Sequence, residues 1–210
     1  MGYDKENLTA PDGSDVSEEL EELKVREAQI DYNKLYTYSD YLSWDDDVRR
    51  ELIDGIAYLM SAPSFRHQDI LLNLGSFFKM FLKEKPCKVL IAPLDVRLNA
   101  GTKDDTVVQP DVIVTCDLSI LTDAGITGVP SLLIEILSPS TSRYDRVTKY
   151  NKYLEVGVKE YWIVDPVKKT VAVNILQDGV YITHAYTESD SFSVHILKDC
   201  VIDLAEVFEG

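Results

Sequence analysis

Positive charge is in short supply in this chain of 210 residues. Lys and Arg number 21 against 36 Asp and Glu, a formal net charge of −15. A surface that grips duplex nucleic acid without regard to sequence shows itself as a basic patch. The composition shows no such excess, which leaves room only for a local basic groove or a metal-screened site. Long apolar runs are missing too: none approaches the roughly 20 residues that a bilayer span needs. Cysteine is scarce. Cys87, Cys116 and Cys200 are odd in number and widely spaced, and fit neither a disulfide framework nor a zinc site. The opening stretch, MGYDKENLTAPDGSD, is polar and acidic, so no signal peptide is expected. Glu6 breaks the myristoylation pattern. Together these absences make the cytoplasm the expected compartment, with no membrane partner. No Gly-rich phosphate loop, Walker motif or nucleophile elbow occurs either.

What is present is an ordinary globular composition, 45% hydrophobic, long enough for one domain with a real core. The acidity is concentrated at the start. Residues 1–31 hold ten acids against Lys5, Lys24 and Arg26, net −7, so the other residues carry −8 of the −15. Residues 1–16 have the low hydrophobicity of a disordered segment, and Ser17 to Ile30 has the pattern of a capped helix. The expected organisation is an acidic arm, 1–31, and a single domain, 32–210.

Within that domain Thr37 to Trp44 predicts a short helix capped near Ser39. Glu51 to Met60 predicts a hairpin turning at Asp54-Gly55. His67 to Glu84 has helical phase and is ended by Pro86. Val89 to Leu98 is a strand, or a strand pair, interrupted by Pro93. Val107 to Cys116 reads as one strand, Asp117 to Gly128 as a polar connection and Ser131 to Leu137 as a buried strand. A helix from about Tyr144 to Val156 stops at Gly157. The strand Lys159 to Val164, a hairpin across Gln177-Asp178-Gly179, a strand from Ser191 to Leu197 and a closing segment complete the chain. The order predicts an α/β (α+β) fold with a β-rich C-terminal addition.

Glu135 stands out. A carboxylate inside the apolar run Leu132 to Leu137 is costly unless it is paired, hydrogen-bonded or holding a metal. Strand alternation puts it on one face with Leu133 and Leu137. Asp111 opens the preceding strand, in phase with Ile113 and Thr115. If the two strands are neighbours, the two acids meet. Such a pair repels unless a cation neutralises it, and its oxygens suit Mg2+ or Mn2+ rather than zinc. The plainer reading is a strand-capping Asp and a Glu paired with an Arg. Lys149 lies on the helix that follows Glu135 and could reach the same end of the sheet. In the plainer reading it makes a surface i,i+4 pair with Asp145. Glu51 alone reads as a strand-edge polar residue. His67 alone reads as a helix cap or surface residue, with no second His at metal spacing. Glu160, Tyr161, Trp162 and Asp165 read as packing and turn residues.

Six motifs occur in order: Glu51-Leu-Ile-Asp-Gly, Pro63-Ser-x-x-His67, Gln109-Pro-Asp-Val, Glu135-Ile-Leu-Ser-Pro-Ser-Thr141, Asp145-x-x-x-Lys149-x-x-x-Tyr153 and Glu160-Tyr-Trp-Ile-Val-Asp-Pro166. Together, over about residues 36–208, they resemble the Uma2 family (DUF820), common in cyanobacteria and part of the PD-(D/E)XK nuclease superfamily. The resemblance implies a restriction-endonuclease-like αβββαβ core with a mixed central sheet. It implies a Mg2+-dependent (or Mn2+-dependent) endonuclease acting on DNA. Asp111 and Glu135 would be the two motif acids, catalytic and metal-ligating; Glu51 would be an additional upstream acid with the same roles; His67 would line the site as a further candidate ligand; and the catalytic lysine would orient the attacking water or stabilise charge on the phosphate. The superfamily pattern places a lysine two residues after the second acid. Leu137 stands there, and the resemblance moves the lysine to the next helix, at Lys149. The alternative is a catalytically inactive nuclease-like protein that acts by binding or as a homodimer.

Overall fold

A computed structural model describes residues 30–31, 33–46, 48–138 and 144–209. The acidic arm, apart from its last residues, lies outside them, and so does most of the turn after Ser138. The first element, α1 (Tyr38–Ser43), is capped by Thr37, not Ser39. The Thr37 hydroxyl accepts from the Asp40 amide, and the Asp40 carboxylate accepts from the Thr37 amide. That reciprocal box forms because both residues lie in register for it. The hairpin β1 (Arg50–Ile53) and β2 (Ile56–Leu59) turns at Asp54-Gly55, both at positive φ, as a two-residue turn of this hand requires. The helix α2 (Phe65–Phe81) follows, capped by Ser64.

The remaining strands are β3 (Lys88–Ile91), β4 (Val96–Arg97), β5 (Val107–Val108), β6 (Val112–Thr115), β7 (Leu121–Thr122), β8 (Gly125–Thr127), β9 (Leu132–Ile136), β10 (Glu160–Asp165), β11 (Thr170–Gln177), β12 (Val180–Thr187), β13 (Ser191–Ser193) and β14 (Val201–Asp203). Between β9 and β10 lie a wide π-type helical turn, Tyr144–Lys149, and α3 (Tyr150–Val156). A short α4 (Leu204–Phe208) closes the chain.

The central sheet has the order β12-β11-β10-β9-β6-β3. Its β9–β10 pair is parallel and its other pairs antiparallel. In chain order α2, β3, β6, β9, α3 and β10 make the αβββαβ core, and β11 and β12 extend it. A second sheet, β2-β1-β5-β4-β8-β7, is built from hairpin β1–β2 and from inserts between core strands.

Alternation along the core strands sorts the side chains into two layers. Val112, Val114, Leu132, Ile134, Ile136, Trp162 and Val164 face α2, where Ile70, Leu71, Leu74 and Phe78 meet them. Ile113, Leu133, Leu137, Tyr161 and Ile163 face the other way, onto Tyr153 of α3 and the second sheet. Leu137, at the position where the superfamily pattern has lysine, is part of this packing.

Four further expectations change. Val107 to Cys116 is two strands in different sheets, broken at Gln109-Pro110-Asp111, since proline supplies no N–H to continue a ladder. The connection 117–128 contains a 3-10 turn and the β7–β8 pair. The strand from Ser191 ends at Ser193, and its partner is β14. Cys87 and Cys116 are bridged. They are 29 residues apart in sequence, but the β3–β6 register, with Lys88 opposite Thr115, makes them the next cross-strand pair.

Candidate active site

The break that ends β5 and starts β6 sets the site. Pairing of Val112 with Ile134, Ile113 with Leu133 and Val114 with Leu132, continued by one residue, puts Asp111 opposite Glu135. Asp111 Oδ2 accepts from the Ile136 amide at 2.7 Å, and His67 Nε2 lies 3.2 Å from the same oxygen. His67 is in the first turn of α2, so the Ser64 cap fixes its entry. From the second sheet, Glu51 of β1 accepts from the Gln109 amide through Oε1 at 2.6 Å. The amide that proline-110 geometry takes out of the ladder is thus satisfied by a carboxylate.

Lys149 joins these groups. Its Nζ donates to Glu135 Oε1 at 2.8 Å, lies 2.9 Å from Glu51 Oε1 and is 3.7 Å from Asp145 Oδ1. Its side chain is 3% exposed, so this is no surface pair. The π-type turn brings Asp145 and Lys149 to one side, and such turns recur at functional sites. Tyr153, one turn further on, donates to Glu135 Oε1 at 2.8 Å. Thus Asp111, Glu135, Lys149, Glu51 and His67 all meet, on four different elements and one loop.

A cleft of about 290 Å³ opens onto them, also lined by Arg49, Gln109 and Tyr144. Four carboxylates (Asp111, Glu135, Glu51 and Asp145) line it against one buried ammonium. Burial pushes the Glu135 carboxyl well above the usual carboxylate range. The Lys149 charge pulls it down, but Asp145, Asp111 and Glu51 add to the rise. Burial pulls the Lys149 ammonium down, and the charges of Glu135, Glu51 and Asp145 more than reverse that, leaving it well above an ordinary lysine. Lys149 is therefore a fixed cation.

The donor set is all hard oxygen. The described bonds to each acid fall on one oxygen: Oδ2 of Asp111, Oε1 of Glu135 and Oε1 of Glu51. Four acids around one ammonium leave a surplus of negative charge. That combination fits a divalent cation taken up by one or two carboxylates plus water and substrate oxygens, as Mg2+ is. Among the described residues no three His, Cys, Asp or Glu side chains already form a metal-binding group.

Sequence reading missed Arg49, Tyr144 and the burial of Asp145. The spacing Asp145, Lys149, Tyr153 was the available signal: i, i+4, i+8 on one helical face. Arg49 and Tyr144 left none.

An αβββαβ sheet carrying opposed acids and a lysine at one end has the architecture of a restriction-endonuclease-like protein. Residues 38–205 match the Uma2 family model, described as "Putative restriction endonuclease", and the chain belongs to that family. The Synechocystis sp. protein slr1290 is 34% identical over 157 residues, 72% of this chain and 80% of that protein. A second Synechocystis protein, sll1609, is 25% identical over 137 residues, 63% of this chain and 76% of its own length. The crystal structure of a "putative nuclease belonging to DUF820" from Anabaena variabilis superposes with a TM-score of 0.67. It covers 82% of this chain and 97% of its own at 20% identity, a likeness of fold. Among the described residues no helix is long and apolar enough to cross a membrane.

Proposed function

We propose that the chain is a metal-dependent endonuclease that hydrolyses phosphodiester bonds of DNA. The observation that carries this reading is the opposition of Asp111 and Glu135 across β6–β9 with the buried Lys149 ammonium beside them. Asp111 and Glu135 would hold Mg2+ or Mn2+, with Glu51 alongside. When bound, such a cation supplies a more acidic water and neutralises charge on the phosphate. The chain's own residues do the rest. Lys149 keeps Glu135 and Glu51 in place and contributes positive charge where phosphorane charge develops; as a fixed cation it is not the base. His67 and the Ile136 amide hold Asp111 in orientation. Arg49, exposed at the cleft mouth, offers a guanidinium to the substrate backbone. A DNA substrate supports the cytoplasm as the compartment of this reading; the Cys87–Cys116 bridge is the feature at odds with it, since such bonds are rare there.

Cleavage of circular and single-stranded DNA, with Mg2+ and with chelator, tests the reading. The wild type is expected to nick or linearise DNA only with the divalent ion, and Asp111→Ala to be inactive. If both are equally inactive on every substrate and no divalent ion binds at millimolar concentration, the reading fails. The binding protein, acting as a homodimer, then takes its place.

A further inference from the structure

A second pocket adjoins the cleft. It has a volume of about 320 Å³ and is lined by Tyr41, Trp44, Arg49, Arg50 and Gln109, among others. Arg49 and Gln109 line both spaces. Gln109 is the wall between them. Its backbone amide holds Glu51, while its side-chain Oε1 accepts from Arg49 Nη2 at 2.8 Å. Its Nε2 donates to Asp95 Oδ1 at 2.8 Å, and the Tyr41 hydroxyl donates to the same oxygen at 3.0 Å. A chain of hydrogen bonds thus runs from the candidate catalytic carboxylate to the floor of the neighbouring pocket.

The lining sets two aromatic rings beside two arginines, with Asp46 and Val48 completing it. The Trp44 and Tyr41 rings lie edge-on to one another at 5.8 Å, and the Arg50 guanidinium lies 4.9 Å from the Trp44 ring centre. Arg50 is 3% exposed, bonded to the Asp46 carboxylate through Nη2 at 2.8 Å, and its Nε has no hydrogen-bond partner. A buried donor left unpaired is uncommon and calls for an explanation. Aromatic rings accept nucleobases of any sequence, and an adjacent arginine adds both stacking and phosphate contact.

We propose that this pocket is a subsite for a nucleotide flanking the scissile bond, with the base against Trp44 and Tyr41 and its phosphate on Arg49. This rests on the nuclease reading for what the cleft does, but the pocket's own occupant is a single-stranded or locally unpaired nucleotide. A paired base has both faces stacked on its neighbours; only an unstacked one can enter a pocket walled by rings. The subsite therefore selects single-stranded, frayed or distorted DNA over an intact duplex.

The test uses the full chain and fluorescently labelled 12-nucleotide DNA, single-stranded and as duplex, read by polarisation without divalent ions, beside cleavage kinetics with Mg2+. Single-stranded DNA is expected to bind more tightly than duplex and to quench Trp44 emission, Trp162 being fully buried. Trp44→Ala should weaken single-strand binding about tenfold, with the loss in KM exceeding that in kcat. Trp44→Phe, which keeps a ring, should restore most of it and guards against a merely unfolded variant. Arg49→Ala should lower the salt dependence of binding by about one phosphate contact. If Trp44→Ala and Arg49→Ala bind and cleave as the wild type does, the subsite is overturned and the nuclease reading stands. If no DNA is cleaved but Trp44 is still quenched and Trp44→Ala still loses affinity, the nuclease reading falls and the subsite stands. Absence of any DNA binding overturns the subsite as well.

Discussion

Lys149 Nζ lies 2.8 Å from Glu135 Oε1 and 2.9 Å from Glu51 Oε1, so one ammonium ties the central sheet to the second sheet. The side chains are 2–5% exposed. Removing the cation strands two buried carboxylates. Lys149→Ala is expected to lose about 3–5 kcal/mol of stability and to abolish cleavage. Urea denaturation and the DNA assay read the two effects separately. Loss of cleavage with unchanged stability would show that the pair is not buried in solution.

The carboxyl cluster gives stability a defined dependence on pH. The Glu135 pKa is raised in the folded chain above its ordinary 4.5. Between 4.5 and that higher value the folded state holds a proton that the unfolded state releases. Stability from this group is therefore full below about pH 4.5 and falls as pH rises toward the folded pKa. Unfolding free energies of wild type and Glu135→Gln, measured from pH 4.5 to 8, should be most alike at pH 4.5, where both side chains are neutral, and separate as pH rises, the wild type losing ground, because only the wild type carries this slope. Parallel curves would contradict the raised pKa.

A divalent ion that binds the folded chain must also stabilise it. With Mg2+ or Mn2+ at a hundred times its dissociation constant, linkage predicts a gain of about 2.7 kcal/mol, seen as a higher Tm. Chelator should reverse the gain, and Asp111→Asn should remove it. This measurement needs no activity, so it separates loss of metal from loss of chemistry.

Gly125 opens β8 at φ 131°, and an added Cβ would press into the carbonyl oxygen of Asp95. Asp95 in turn positions Gln109 and Tyr41. Gly125→Ala is expected to cost roughly 1–3 kcal/mol in backbone strain alone and to disturb the pocket beside Trp44. A melting curve and Trp emission spectra check both consequences. An unchanged Tm would show that the loop carrying Asp95 yields without cost.

Local rules written in the sequence determined much of this protein. The hairpin at Asp54-Gly55, the phase of α2, the stop at Gly157 and the alternation of β9 each depend on near neighbours in the chain, so each was legible. Glu135 was legible for the same reason, because a charge in an apolar strand is anomalous wherever the strand sits. Tertiary structure decided what sequence distance hides. It split 107–116 between two sheets and placed Cys87 beside Cys116. It also buried Asp145 and Lys149, which local spacing alone makes a surface pair, and put Trp44 and Arg49 next to Glu51's cleft. Each of these depends on which strands pair and in what register. Register is set by the summed burial of two layers and not by any short stretch of residues.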